Sequence, residues 1–76
     1  MLTLLDITPK ANLQLICVFS NGVTKNVDLT TIATTPAFLF LHTEQYFTSV
    51  KNKGYFIEWT NFEADLSADT LWHIGV

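Results

Sequence analysis

The sequence predicts a small α+β domain: an antiparallel sheet of about four to five strands, with short helices packed on one face and a helical turn near its end. Three observations carry that reading. Leu13, Leu15, Cys17 and Phe19 alternate with Gln14, Ile16 and Val18, the period of two that marks a strand, and Ser20-Asn21-Gly22 turns the chain into a second such run. Thr35-Pro36 and Thr43-Glu44 are helix starts. Tyr55-Phe56-Ile57-Glu58-Trp59 is a later strand, and Ser67 opens a final short helix.

The elements follow in order. Residues 2–7 form the first strand, which ends by Pro9, because a residue without an N–H belongs at a strand end or edge. Residues 12–19 form the second, with apolar side chains on both faces. The turn after it can be derived from the faces. A two-residue turn at Asn21-Gly22 would pair Phe19 with Thr24, Cys17 with Asn26 and Leu15 with Asp28, mixing polar groups into the apolar face. A three-residue turn, with Gly22 left-handed in a bulge, pairs Phe19 with Val23, Cys17 with Lys25 and Leu15 with Val27. It gathers Leu15, Cys17, Phe19, Val23 and Val27 on one side, and since a slip of one residue inverts every side chain, burial selects it. Lys25 is the exception, tolerable near a sheet edge with its stem flat and its amine in water.

Residues 30–41 are a connector with helical turns, capped by Thr35 and placing Phe38 and Leu41 on one face. Thr43 caps a further turn in which Glu44 suits the positive helix end and Phe47 points inward. Lys51-Asn52-Lys53-Gly54 reads as a turn. In the strand that follows, Tyr55, Ile57 and Trp59 face the core, and Phe56, Glu58 and Thr60 face away. An acidic turn around Asp65 leads to Ser67, which caps a helix over residues 68–73 that Gly75 ends.

Seventy-six residues make one domain, and a domain of that size buries only roughly 60% of its unfolded surface. Yet 49% of the residues are hydrophobic and only 14% are charged. Either the core is unusually dense, or part of this apolar surface is covered by a second copy or a small protein partner; the second reading is favoured. The net charge is −3 and there is no arginine, which argues against direct binding of nucleic acid. Cys17 is alone, in keeping with a reducing cytoplasm. The opening residues lack the basic start of a signal peptide, and no apolar run approaches the ~20 residues of a membrane span.

The ordered set of features resembles the family known as domain of unknown function 2442. Leu15, Cys17, Phe19, Asn21 and Gly22 match its alternating strand and Asn-Gly turn, and Asp28-Leu29 the pair that ends the next strand. Phe38, Leu41 and Phe47 match its Phe-x-x-Leu segment and later Phe, and Trp59, Asp65-Leu66, Leu71-Trp72 and Gly75 its closing pattern. The resemblance spans nearly the whole chain. No single motif is specific; the order is. Two departures stand out. Thr60 and Phe62 lie where the family often has Pro and Gly, with an extra residue before Asp65, which leaves the conformation of residues 60–64 open, and Cys17 replaces a more usual valine. The resemblance implies a bacterial or archaeal α+β domain without assigned catalytic residues. Some members are fused to a helix-turn-helix, which this chain lacks. Others are encoded beside another small family, as in toxin–antitoxin pairs.

The chemistry-bearing residues are few. His42 and His73, the two imidazoles, have no spacing that makes a metal site with Cys17, so no metal or cofactor is expected. Cys17 sits mid-strand among apolar neighbours and reads as a buried structural thiol. Glu58, Glu63, Asp65 and Asp69 form the one dense acidic group. They serve as ordinary turn, cap and surface residues, as a docking patch, or, in an alternative reading, as carboxylates of a small enzyme or ligand binder. No Gly-rich phosphate loop and no serine nucleophile setting occurs. Ile16, Val18, Phe40, Tyr46, Phe56 and Phe62 fall off the assigned core faces, and they are the candidate interface. The expected function is therefore a non-catalytic protein-interaction or regulatory module, such as the antitoxin-like partner of a neighbouring gene product, with a homo-oligomeric structural domain as the alternative.

Overall fold

In the computed structural model, which describes residues 2–76, β2 (Gln14–Phe19) lies between β1 (Leu4–Lys10) and β3 (Thr24–Asp28) in an antiparallel sheet. Burial has selected the register expected of the first hairpin. Leu15 pairs with Val27 and Cys17 with Lys25, while the Phe19 N–H donates to Val23 O at 2.9 Å around a turn in which Gly22 holds φ at 86°. Leu15, Cys17, Phe19 and Val27 are fully buried. Val23 is not. The Asn21 side chain accepts its N–H at 3.0 Å, which keeps Val23 in the exposed turn and delays β3 to Thr24.

The chain then runs through two 3-10 helices, Ile32–Thr34 and Pro36–His42, into α1 (Glu44–Phe47). Pro36 opens its segment as expected, but neither Thr35 nor Thr43 caps through its side chain. The Thr35 hydroxyl instead donates backwards to Ile32 O at 2.7 Å, closing the preceding turn. Leu41 and Phe47 carry these segments into the core.

A second sheet follows, with β5 (Phe56–Trp59) between β4 (Lys51–Asn52) and β6 (Ala64–Ser67). The fold is thus α+β, with two three-stranded antiparallel sheets in place of a single one of four to five strands. The sheets meet at one corner, where the Leu4 N–H donates to Gly54 O at 2.7 Å and the Asn52 side chain donates to Leu4 O at 3.0 Å. The ladder stops there because β4 has two residues and Gly54, at φ 86°, turns the chain away, while β1 is kinked by an irregularity between Leu4 and Asp6.

Other expectations need correction. Pro9 lies within β1, opposite Leu15, and is tolerated because β1 is an edge strand. Asn12 and Leu13 are not strand residues but a left-handed turn, at φ 64° and 61°. Tyr55 falls just before β5 and is exposed, so only Ile57 and Trp59 of its presumed face reach the core. The segment 64–67, read as an acidic turn, is β6; the reversal comes earlier, at Glu63, in left-handed geometry (φ 51°). α2 (Ala68–Ile74) is as expected, its N-terminus capped by Ser67 Oγ accepting the Thr70 N–H at 3.1 Å.

Lys25 solves its own problem differently from the expected exposure to water. Its ammonium donates to Trp72 O at 2.9 Å and sits 3.7 Å from the centre of the Trp72 ring. Trp72 in turn meets Phe19 edge-on at 5.1 Å. A cation is thereby placed at the negative end of α2, which fastens the helix to β3. Gly75 is pressed against the same lysine: a Cβ there would lie 2.9 Å from Lys25 Cβ and Cδ. Gly75→Ala is therefore expected to destabilise the protein by about 1–3 kcal/mol through overpacking. Urea unfolding checks this, and the loss should shrink in the Lys25→Gly background, where both clashing atoms are gone. Additive losses would show that the contact is not the cause.

Candidate functional site

Several aromatic side chains, most of them left over from the core, converge on one surface. Trp59, from β5, is fully buried and anchors them, its indole N–H donating to Phe47 O at 3.1 Å. Phe38 and Phe40, from the longer 3-10 helix, meet the Trp59 ring edge-on at 6.1 and 5.9 Å. Phe62, from the Thr60–Phe62 turn, stacks flat on Phe40 with ring centres 4.0 Å apart, and Tyr46 of α1 leans on Phe62 at 4.8 Å. Burial falls outward along this series: Trp59 is enclosed, Phe38, Phe40 and Phe62 are half-buried, and Tyr46 is 46% exposed. The left-handed Glu63 positions Phe62, because it lets the chain double back into β6 straight after that ring.

Three of the six expected interface residues, Phe40, Tyr46 and Phe62, therefore form one cluster. The other three lie elsewhere. Ile16 and Val18 are half-buried in β2, flanked by Thr8 and Asn26 and by Asp6 and Thr24. Phe56 is half-buried in β5 opposite Ser67. Phe38 and Trp59 complete the patch from beneath, and the reading of faces had given them to the core.

The acidic group is brought together only in part. Glu58 and Asp65 sit opposite each other on β5 and β6, with Lys51 opposite Glu58 on the other side. Glu58 also pairs with Lys53 at 3.5 Å and accepts a long hydrogen bond from the Thr60 hydroxyl at 3.4 Å. The two lysines offset the like charges that would otherwise disfavour this row. Glu63 is spent on the corner and Asp69 on the first turn of α2. Among the described residues, no group of three or more His, Cys, Asp or Glu side chains converges in a way that could hold a metal ion. Cys17 is fully buried, and burial pushes its thiol up to about 11, so it is a protonated core residue at neutral pH. Among the described residues, no helix is long and apolar enough to cross a membrane.

No curated protein and no solved structure matches the chain. One family model does, over residues 4–76, and its span takes in both sheets, the aromatic cluster and the Lys25–Trp72 contact. The ordered pattern of Asn21-Gly22, Asp28-Leu29, Trp59, Leu71-Trp72 and Gly75 thus has the origin the sequence implied, and the chain belongs to the family described as Protein of unknown function (DUF2442).

Proposed function

We propose that this protein is a non-catalytic interaction module of a prokaryotic cytoplasm, and that it docks a small protein partner through the Phe40–Tyr46–Phe62 patch. One observation supports the reading above the rest: three aromatic rings from three separate segments stack into a graded cluster whose outer member is solvent-exposed. Aromatic side chains backed by a rigid core are the usual anchors of protein interfaces, since they offer large contact area at low entropic cost. Trp59 supplies that backing through its fixed indole hydrogen bond. A regulatory, antitoxin-like role beside a neighbouring gene product is the form of this reading that the family resemblance favours.

The test uses the isolated chain and the product of the adjacent gene. Light scattering reports whether the chain self-associates, and pull-down followed by titration reports whether the neighbour binds. Tyr46→Ser is expected to leave the melting temperature nearly unchanged, because the side chain is exposed, yet to weaken binding roughly tenfold or more. Phe62→Ser should weaken it further. If the neighbour fails to bind and the chain stays monomeric, or if both variants bind like the parent, the proposal is wrong.

A further inference from the structure

The first sheet has two faces, and the core accounts for one of them. Leu15, Cys17 and Phe19 of β2 join Leu41, Trp59 and Leu71 in the buried cluster, so the helical segments and the second sheet lie on that side. Ile16 and Val18 point the other way and are half-buried. An antiparallel sheet with one face in water sets polar residues on that face, in alternation with the buried ones. β1 follows this rule with Asp6, Thr8 and Lys10, and β3 follows it with Thr24, Asn26 and Asp28. β2, the central strand, does not, because it is apolar on both sides.

The strand register fixes where these side chains lie. Asp6, Val18 and Thr24 form a cross-strand row at one end of the outer face, and Lys10, Gln14 and Asp28 form one at the other. Ile16 lies midway, between Thr8 and Asn26. The Asn26 amide donates to Gln14 Oε1 at 2.7 Å, which ties the middle row to the last on this face. The outcome is an apolar centre inside a polar and charged rim, the anatomy of a protein interface.

The charges of the rim select the occupant. Lys10 and Asp28 stand at opposite edges of the same row, a cation on β1 and an anion on β3. A second copy, turned by a two-fold axis that runs along β2, lays its β3 over this β1. Lys10 then meets the second copy's Asp28, and Asp28 its Lys10. Asp6 meets the hydroxyl of the second copy's Thr24, and Ile16 and Val18 each meet their own counterparts. A two-fold axis across the strands would instead set Val18 on Gln14 and mix polar with apolar. Two sheets stacked with nearly aligned strands, about 10 Å apart, are a common packing. The contact is isologous and consumes this face in both copies, so the assembly closes at two.

We propose that the outer face of the first sheet joins two copies of this chain, β2 against β2, with Ile16 and Val18 at the centre and a Lys10–Asp28 pair at two corners. The proposal does not depend on the aromatic patch, which belongs to the second sheet and the helical segments. The face is small, so the dimer is expected to be weak, with a dissociation constant of roughly 10 μM to 1 mM. Sedimentation of the full chain across that concentration range should show a reversible monomer–dimer equilibrium. Concentration-dependent amide shifts should map to residues 6–10, 14–18 and 24–28. Lys10→Glu changes an exposed side chain and sets like charges together, so it should keep the parent melting temperature and weaken the dimer about tenfold. Asp28→Lys should weaken it similarly, and an equimolar mixture of the two variants should associate like the parent, since each mismatch then finds its complement. Val18→Thr keeps the β-branched shape and should also weaken the dimer about tenfold. Tyr46→Ser should leave it unchanged. The proposal is overturned by a chain that stays monomeric, by a mixture that fails to recover association, or by a dimer that Tyr46→Ser disrupts and Lys10→Glu does not. It is overturned equally if the adjacent gene product, and not a second copy, shifts the amides of this face.

Discussion

Trp59→Ala is expected to remove a large share of the protein's stability and to shift its unfolding midpoint sharply down. The ring is wholly enclosed, touches Phe38 and Phe40 edge-on, and fills the space between the second sheet and the helical segments. Truncating a buried tryptophan to alanine costs about 3–5 kcal/mol. Stability of roughly 0.05–0.15 kcal/mol per residue gives a chain of this length about 4–11 kcal/mol in total. One substitution thus removes most of the lower end of that range. Trp59→Phe separates the two roles of the residue. It keeps much of the packing but removes the 3.1 Å indole donor from the Phe47 carbonyl, which keeps only the longer bond from the Val50 N–H at 3.4 Å, a loss of roughly 0.5–1.5 kcal/mol. Circular dichroism during urea unfolding measures both. A Trp59→Ala midpoint equal to that of the parent would mean that the aromatic cluster does not hold the second sheet against the helical segments.

Gly22→Val is expected to be the next most damaging change, and for a purely conformational reason. A Cβ on Gly22 would meet no atom within 4 Å, so nothing clashes. The backbone, however, sits at φ 86°, where an L-residue costs about 1–2 kcal/mol and a β-branched one more. Asn tolerates this region, so Gly22→Asn should lose only a fraction of what Gly22→Val loses. The contrast isolates the backbone contribution, because the open surroundings of Gly22 accept either side chain. An unchanged melting temperature for the valine variant would refute the three-residue turn as a requirement of the fold.

How far the sequence could be read depended on whether the deciding force was local or tertiary. The β2–β3 register was legible because burying Leu15, Cys17 and Phe19 leaves one choice of turn. The Ser67 cap was legible because it acts within one turn of helix. The division into two sheets was not. It rests on a two-residue β4 and on a corner contact between Leu4 and Gly54 that no periodicity encodes. β6 was missed because Asp65 looked like a turn residue and Ser67 was read only as a helix cap, whereas both also form the exposed side of a short edge strand whose Ala64 and Leu66 face inward. The aromatic patch was half legible. Phe40, Tyr46 and Phe62 were singled out by elimination from the core faces, but nothing in the sequence could show that they would meet while Phe56, Ile16 and Val18 would not.

The placement of the two indoles has a practical outcome. One is sealed beneath a phenylalanine pair and bonded to a carbonyl, and the other lies under a lysine ammonium at the end of α2. Their emission spectra should therefore differ, and single Trp-to-Phe versions would give each half of the molecule its own intrinsic fluorescence signal. Such probes can follow whether the first sheet with its docked helix comes apart together with the second sheet, without any dye attached.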